Sequence, residues 1–95
     1  MRFVATFHVR PKAEVRDPQG EAVSSALRSL GVEVASVRTG KEIVVTFDAV
    51  NDEAARELVR SMGNELLANP VIEEYTFDLA QVGEHATVGV RDMRP

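Results

Sequence analysis

The side chains able to do acid–base, nucleophilic or metal chemistry are few and scattered in this 95-residue chain. It has no cysteine, so a thiolate nucleophile, a disulfide framework and a cysteine metal site are excluded. The two histidines, His8 and His85, lack the His-x-His or His-x-x-x-His spacing that brings two imidazoles to one metal. Glu73 and Glu74 are adjacent in a segment of strand character, so their carboxylates point to opposite faces and do not form a pair. Asp17-Pro18-Gln19-Gly20 could present a helix N-terminus to an anion, but it has neither the glycine pattern nor the lysine of a phosphate loop, and a helix cap explains it as well. Gly40-Lys41 reads first as turn chemistry beside a solvated lysine, and second as a ligand contact. No catalytic residue and no metal ligand emerges.

The elements that would position these residues follow from periodicity. Phe3, Ala5, Phe7 and Val9 alternate with Val4, Thr6 and His8, which predicts a first strand. Arg10 to Arg16 has no period and contains Pro11, so it reads as a loop. Asp17-Pro18 starts a helix, with aspartate as the cap and proline at the first helical position. That helix runs to about Leu30, with an apolar stripe of Ala22, Val23, Ala26, Leu27 and Leu30, and Gly31 caps its end. A short second strand is expected from about Glu33 to Arg38. A Thr39-Gly40-Lys41 turn with positive φ at Gly40 leads into a third strand from Glu42 to Phe47.

Asn51 or Asp52 caps a second helix carrying Ala55, Leu58, Val59, Met62 and Leu66, which ends near Asn69-Pro70. A fourth strand follows from Val71 to Leu79. The order β-α-β-β-α-β predicts an α+β, ferredoxin-like domain over residues 1–80: four antiparallel strands with two helices on one face. Residues 81–95 read as a flexible C-terminal tail. The sheet face away from the helices would hold Val4, Val34, Val44 and Ile72 among threonines, and such a face invites a second copy; a homo-oligomer, dimer or tetramer, is expected.

Composition narrows the partners. At this length one small core forms, and 44% hydrophobic with 27% charged residues is an ordinary globular balance with no membrane span. The N-terminal MRFVATFHVR has no unbroken apolar run of a signal peptide, so the cytoplasm is the expected location. The net charge of −4 is uneven: residues 1–41 carry seven Lys/Arg and four Asp/Glu, whereas residues 48–78 carry two Arg and eight acids. That asymmetry suits oriented protein partners better than nucleic acid, which usually meets a dominant basic surface. Phe3, Phe7, Phe47, Tyr75 and Phe77 could stack bases on a sheet, but the basic-Gly-aromatic signature of such modules is missing and core packing explains them.

Four segments in order carry a further signal. They are Asp17-Pro18-Gln19-Gly20 before the first helix, Leu30-Gly31 at its end, Val37-Arg38-Thr39-Gly40-Lys41, and the run from Leu66 to Tyr75 through Asn69-Pro70-Val71-Ile72-Glu73-Glu74. Over about residues 3–79 the chain resembles the PurS family, the small subunit of the multi-subunit phosphoribosylformylglycinamidine synthase of purine biosynthesis. It departs from the family pattern at Glu14 and Arg16, where a glycine and an apolar residue are frequent, and its tail runs past the usual family end.

The resemblance implies a ligase subunit with no complete active site of its own. The complex would hydrolyse glutamine on one subunit and pass ammonia to formylglycinamide ribonucleotide on another, using ATP and Mg, while this chain binds no cofactor by itself. Its partners would be the synthetase and glutaminase subunits, with this chain bridging them. Expected partner contacts are Arg10, Lys12, Asp17, Gln19 and Gly20 in the loop and cap, and Arg38, Gly40 and Lys41 beyond the first helix; Asn69 and Pro70 set a structural turn. A regulatory module resembling ACT domains, which bind small metabolites at subunit interfaces, is the alternative reading of the same topology.

Overall fold

The computed structural model describes residues 1–83, so His85 and all but the first three residues of the expected tail lie outside the described residues. The elements are β1 (Arg2–Pro11), α1 (Pro18–Ser29), β2 (Lys41–Asp48), α2 (Asp52–Met62), a π turn (Gly63–Leu67) and β3 (Glu73–Val82). The strands form an antiparallel sheet in the order β2-β1-β3, with Phe7 opposite Ile43 on one side and Phe77 on the other. β1 is therefore central, and its period-two pattern fixes the register, since a slip of one residue would turn Phe3 and Phe7 out of the core.

The odd-numbered face of the sheet is the packed one. Phe3, Ala5, Phe7 and Val9 are buried on it, flanked by Ile43, Val45 and Phe47 of β2 and by Tyr75, Phe77 and Leu79 of β3. Phe3 stacks on Phe47 and Phe7 on Tyr75, with ring centroids 5.9 and 6.0 Å apart. All five aromatics thus lie on the core side, where they are not presented for base stacking. α2 covers this face through Ala55 and Val59, both fully buried, and is capped by Asn51, whose Oδ1 accepts from the Ala54 N–H.

The first half departs from expectation in its strand, its turn and its helix. Residues 33–38 form no strand, so among the described residues the sheet has three strands rather than the four expected. The valine-rich alternation there is real, but a strand requires a partner, and the chain runs from residue 36 through Gly40 into β2 without a turn or bend. It therefore cannot fold back on β2 as a hairpin. Gly40 does not take positive φ; Gly31, with φ of 88°, does. Gly40 is needed for a different reason, since a Cβ there would sit 2.5 Å from the Val9 carbonyl oxygen.

The third departure concerns α1, which adds nothing to the buried core. Its expected apolar stripe faces outward: Leu30 is 78% exposed and Val23 39%, and only Leu27 is half-buried. Its buried side is instead the small-residue row Gly20 and Ser24, and a Cβ on Gly20 would meet the Val37 carbonyl oxygen at 2.6 Å. α1 and residues 32–39 thus form an arm that leaves the sheet and returns to it.

α2 also ends differently from expectation. Its apolar stripe does not continue to Leu66, which is 81% exposed, because the backbone switches to the π turn and the Ala68 N–H bonds back to the Gly63 carbonyl. The extra residue in that turn rotates Leu67 and Ala68 inward in place of Leu66. Gly63 sits under the Tyr75 ring, which occupies the space any Cβ would need. The Tyr75 hydroxyl meanwhile donates to Asn64 Oδ1, 3.0 Å away. Replacing Gly63 by Ala should therefore displace Tyr75 and cost about 2 kcal/mol in urea unfolding, whereas Leu66→Ala should cost under about 0.5 kcal/mol. A larger loss for Leu66→Ala than for Gly63→Ala would contradict the π-turn packing.

Candidate partner-docking site

The expected contact residues, spread over Arg10–Gly20 and Arg38–Lys41, come together at one end of the sheet around the Asp17 side chain. Asp17 is the cap of α1 as its sequence position requires: Oδ1 accepts from the Gly20 N–H at 3.0 Å. The same carboxylate also accepts from Thr39, through its backbone N–H at 2.6 Å and its hydroxyl at 2.8 Å. Two segments 22 residues apart are thereby tied to one buried carboxylate. The Thr39 backbone N–H, then the Gly20 N–H and the Thr39 hydroxyl, stabilise the charged form and hold the Asp17 pKa below its ordinary 3.8.

Arg38 adds a second tie. One guanidinium nitrogen donates to the carbonyl oxygens of both Lys12 and Val15, each at 2.9 Å. The Val15 N–H closes a turn on the Lys12 carbonyl, and the Lys12 N–H bonds to the Ile72 carbonyl ahead of β3. Arg38, expected as a partner contact, is thus engaged within the chain. Arg10 likewise pairs with Glu74 across β3 at 3.2 Å, and Arg16 with Glu21 at 3.0 Å. The Arg16 guanidinium keeps the Glu21 carboxyl below its usual range. These exposed pairs orient side chains more than they stabilise the fold.

The remaining members stay available. Lys12, Gln19 and Lys41 make no side-chain hydrogen bond or ion pair among the described residues. A cleft of about 380 Å³ lies between Pro11, Val15, Gln19, Gly40, Lys41 and Ile72. A second concavity, lined by His8, Arg10, Arg38 and Lys41, lies on the other side of Gly40. Asn69 and Pro70 sit at the opposite side of β3's entry, where Asn69 Oδ1 accepts from the Val71 N–H and the Asn69 N–H donates to Glu73 Oε1, a structural turn. No group of His, Asp and Glu among the described residues is arranged to hold a metal ion. No helix among them is long and apolar enough to cross a membrane.

Chemically the arrangement is a mixed-charge end of the sheet: three engaged arginines, two lysines without a partner among the described residues, and a shallow cleft with Val15 and Ile72 in its wall. Thr39 is the member that sequence reasoning assigned only to a turn. Its spacing from Asp17 carries no periodic signal, and only the chain path brings the two together.

A depressed aspartate pKa stabilises the fold above the ordinary carboxylate pKa and loses that contribution as pH falls through the folded-state value. Asp17→Asn should lower Tm at pH 7 by about 5 °C or more, and should flatten the acid limb of the stability profile below pH 4. An unchanged acid limb in thermal melts would show that Asp17 is not the titrating group of the clamp.

The family model for PurS, phosphoribosylformylglycinamidine (FGAM) synthase, matches residues 4–81. The PurS subunit of FGAM synthase from Thermotoga maritima is 42% identical over 74 residues, 77% of this chain and 90% of that one. The PurS subunit of Bacillus subtilis is 42% identical over 76 residues, 79% of this chain and 89% of its own length. Among solved structures, Thermus thermophilus PurS superposes with a TM-score of 0.80 at 40% identity, covering 87% of this chain and all of that one. A chain of the PurLQS structure from Thermotoga maritima superposes with a TM-score of 0.78 at 38% identity, covering 84% and 99%. With sequence, family model and fold in agreement, the chain belongs to the PurS family of FGAM synthase subunits.

Proposed function

We propose that this chain is the bridging subunit of an ATP- and glutamine-dependent FGAM synthase, holding a glutaminase and a synthetase in the geometry that lets ammonia pass between them. It supplies no catalytic group. The observation that supports this reading is the Asp17–Thr39 clamp, which fixes one end of the sheet with Lys12 and Lys41 unengaged among the described residues. Ammonia is lost to protonation and bulk water unless the interface between sites is water-poor and rigid, and a small preorganised subunit serves that need. ATP and Mg act in the complex and are not held by this chain. The chain works as a homo-oligomer, dimer or tetramer, in the cytoplasm.

The test mixes this chain with its synthetase and glutaminase and compares glutamine-dependent with ammonia-dependent product formation. A Lys12→Glu/Lys41→Glu variant reverses charge at the docking end without touching a bond of the fold. It should lower the glutamine-dependent rate at least about tenfold, leave the ammonia-dependent rate unchanged, and weaken co-elution with the partners. Equal glutamine-dependent rates for wild type and variant would remove this end from the partner surface. Saturable binding of a small metabolite by the isolated chain would favour a regulatory module instead.

A further inference from the structure

At Val9 the packed face of the sheet runs into the 380 Å³ cleft, to which α2 contributes no lining residue. Val9 is buried at its base, and Pro11, Val15, Pro18 and Ile72 stand around it. Pro11 and Val15 are half-buried, while Ile72 keeps 44% exposure, high for an isoleucine beside a core strand. Neither proline has an N–H to offer water. Water held against such walls is displaced favourably by an apolar group. The room equals that of about a dozen water molecules, too much for one ion and enough for a side chain with the backbone that carries it.

The polar groups of the cleft divide by whether they are already bonded. Asp17 is satisfied by Gly20 and Thr39, Glu73 Oε1 accepts from the Asn69 N–H, and Arg16 is held by Glu21. Gln19 and Lys41 have no side-chain partner among the described residues. Lys41 stands opposite Val9 in the β1–β2 register, so it emerges on the same face as the buried base of the cleft. Lys12, next to Pro11, is unengaged as well. The unspent charge at this rim is thus positive, on a chain whose net charge is −4. An ammonium beside an apolar recess selects an apolar group that has a carboxylate close to it. A wholly apolar segment would strip water from Lys41 without replacing it, and a basic one would be repelled.

We infer that this cleft is the anchor socket for one partner subunit, which inserts an apolar side chain between Val15 and Ile72 and places an aspartate or glutamate, within about three residues of it, on Lys41. The inference rests on the bridging reading above and adds to it the kind of segment the partner must present. The Asp17–Thr39 clamp ties the first turn of α1 to the entry of β2, so Gln19 and Lys41 already flank the socket before a partner arrives.

Photo-crosslinking reads the segment directly. With the exposed Gln19 replaced by p-benzoylphenylalanine, the full chain is irradiated in complex with its synthetase and glutaminase, and the linked partner peptide is sequenced by mass spectrometry. That peptide should hold an apolar residue with an acidic residue at the stated spacing. Ile72→Ser should weaken binding of the crosslinked partner at least about tenfold, and Lys41→Gln should weaken it about threefold while lowering the dependence of affinity on salt. The crosslink decides the matter independently of whether Ile72→Ser folds. An intact complex with no crosslink from position 19, a crosslinked peptide without an acidic residue, or a folded Ile72→Ser chain of wild-type affinity overturns the socket and leaves the bridging role standing. Failure of the wild-type chain to bind either subunit overturns both.

Discussion

The arrangement depends on one buried carboxylate. Asp17 begins α1, and by accepting from Gly20 and twice from Thr39 it also decides where the chain comes back after that helix. Burying an aspartate this deeply is costly unless its oxygens are bonded, and these oxygens are bonded only if the arm closes on itself. The clamp is therefore a condition on the path of residues 18–39 as a unit. It leaves β1, β2, β3, α2 and the π turn that follows it to form the core, and it sets the direction in which the arm departs.

The proposed bridging role rests on what the clamp immobilises. Arg38 is drawn onto the Lys12 and Val15 carbonyls, Gly40 is pressed against Val9, and the 10–20 loop and the entry to β2 become one surface. Rigidity is of value here because a bridging subunit acts through geometry: every side chain already ordered before partners arrive is ordering that binding does not have to supply. The ammonium groups of Lys12 and Lys41 are left without a partner among the described residues, while Arg10 and Arg16 are engaged by Glu74 and Glu21.

Much of this was legible in the residues. The alternation of Phe3 to Val9, the Asp17-Pro18 and Asn51 caps, and Gly31 after α1 each report a local rule, and each is obeyed. The residues expected as partner contacts also lie near one another at one end of the sheet. What was not legible depends on contacts distant in sequence. Thr39 has no pattern linking it to Asp17. Gly63 is required by the Tyr75 ring, 12 residues on, so the π turn that exposes Leu66 left no periodic trace. The valines of 32–37 alternate as a strand would, but the chain path gives them no strand to pair with among the described residues. Gly40 was singled out for a turn, while its role is close approach to Val9.

The most direct measurement of the clamp's role follows the nitrogen. In a reconstituted complex supplied with amide-15N glutamine and an excess of unlabelled ammonium, the amidine nitrogen of the product should come almost wholly from glutamine when Asp17 is present. With Asp17→Asn, bulk ammonium should dilute the label severalfold. Equal label retention in the two proteins would contradict the claim that the Asp17–Thr39 clamp sets the geometry of ammonia transfer.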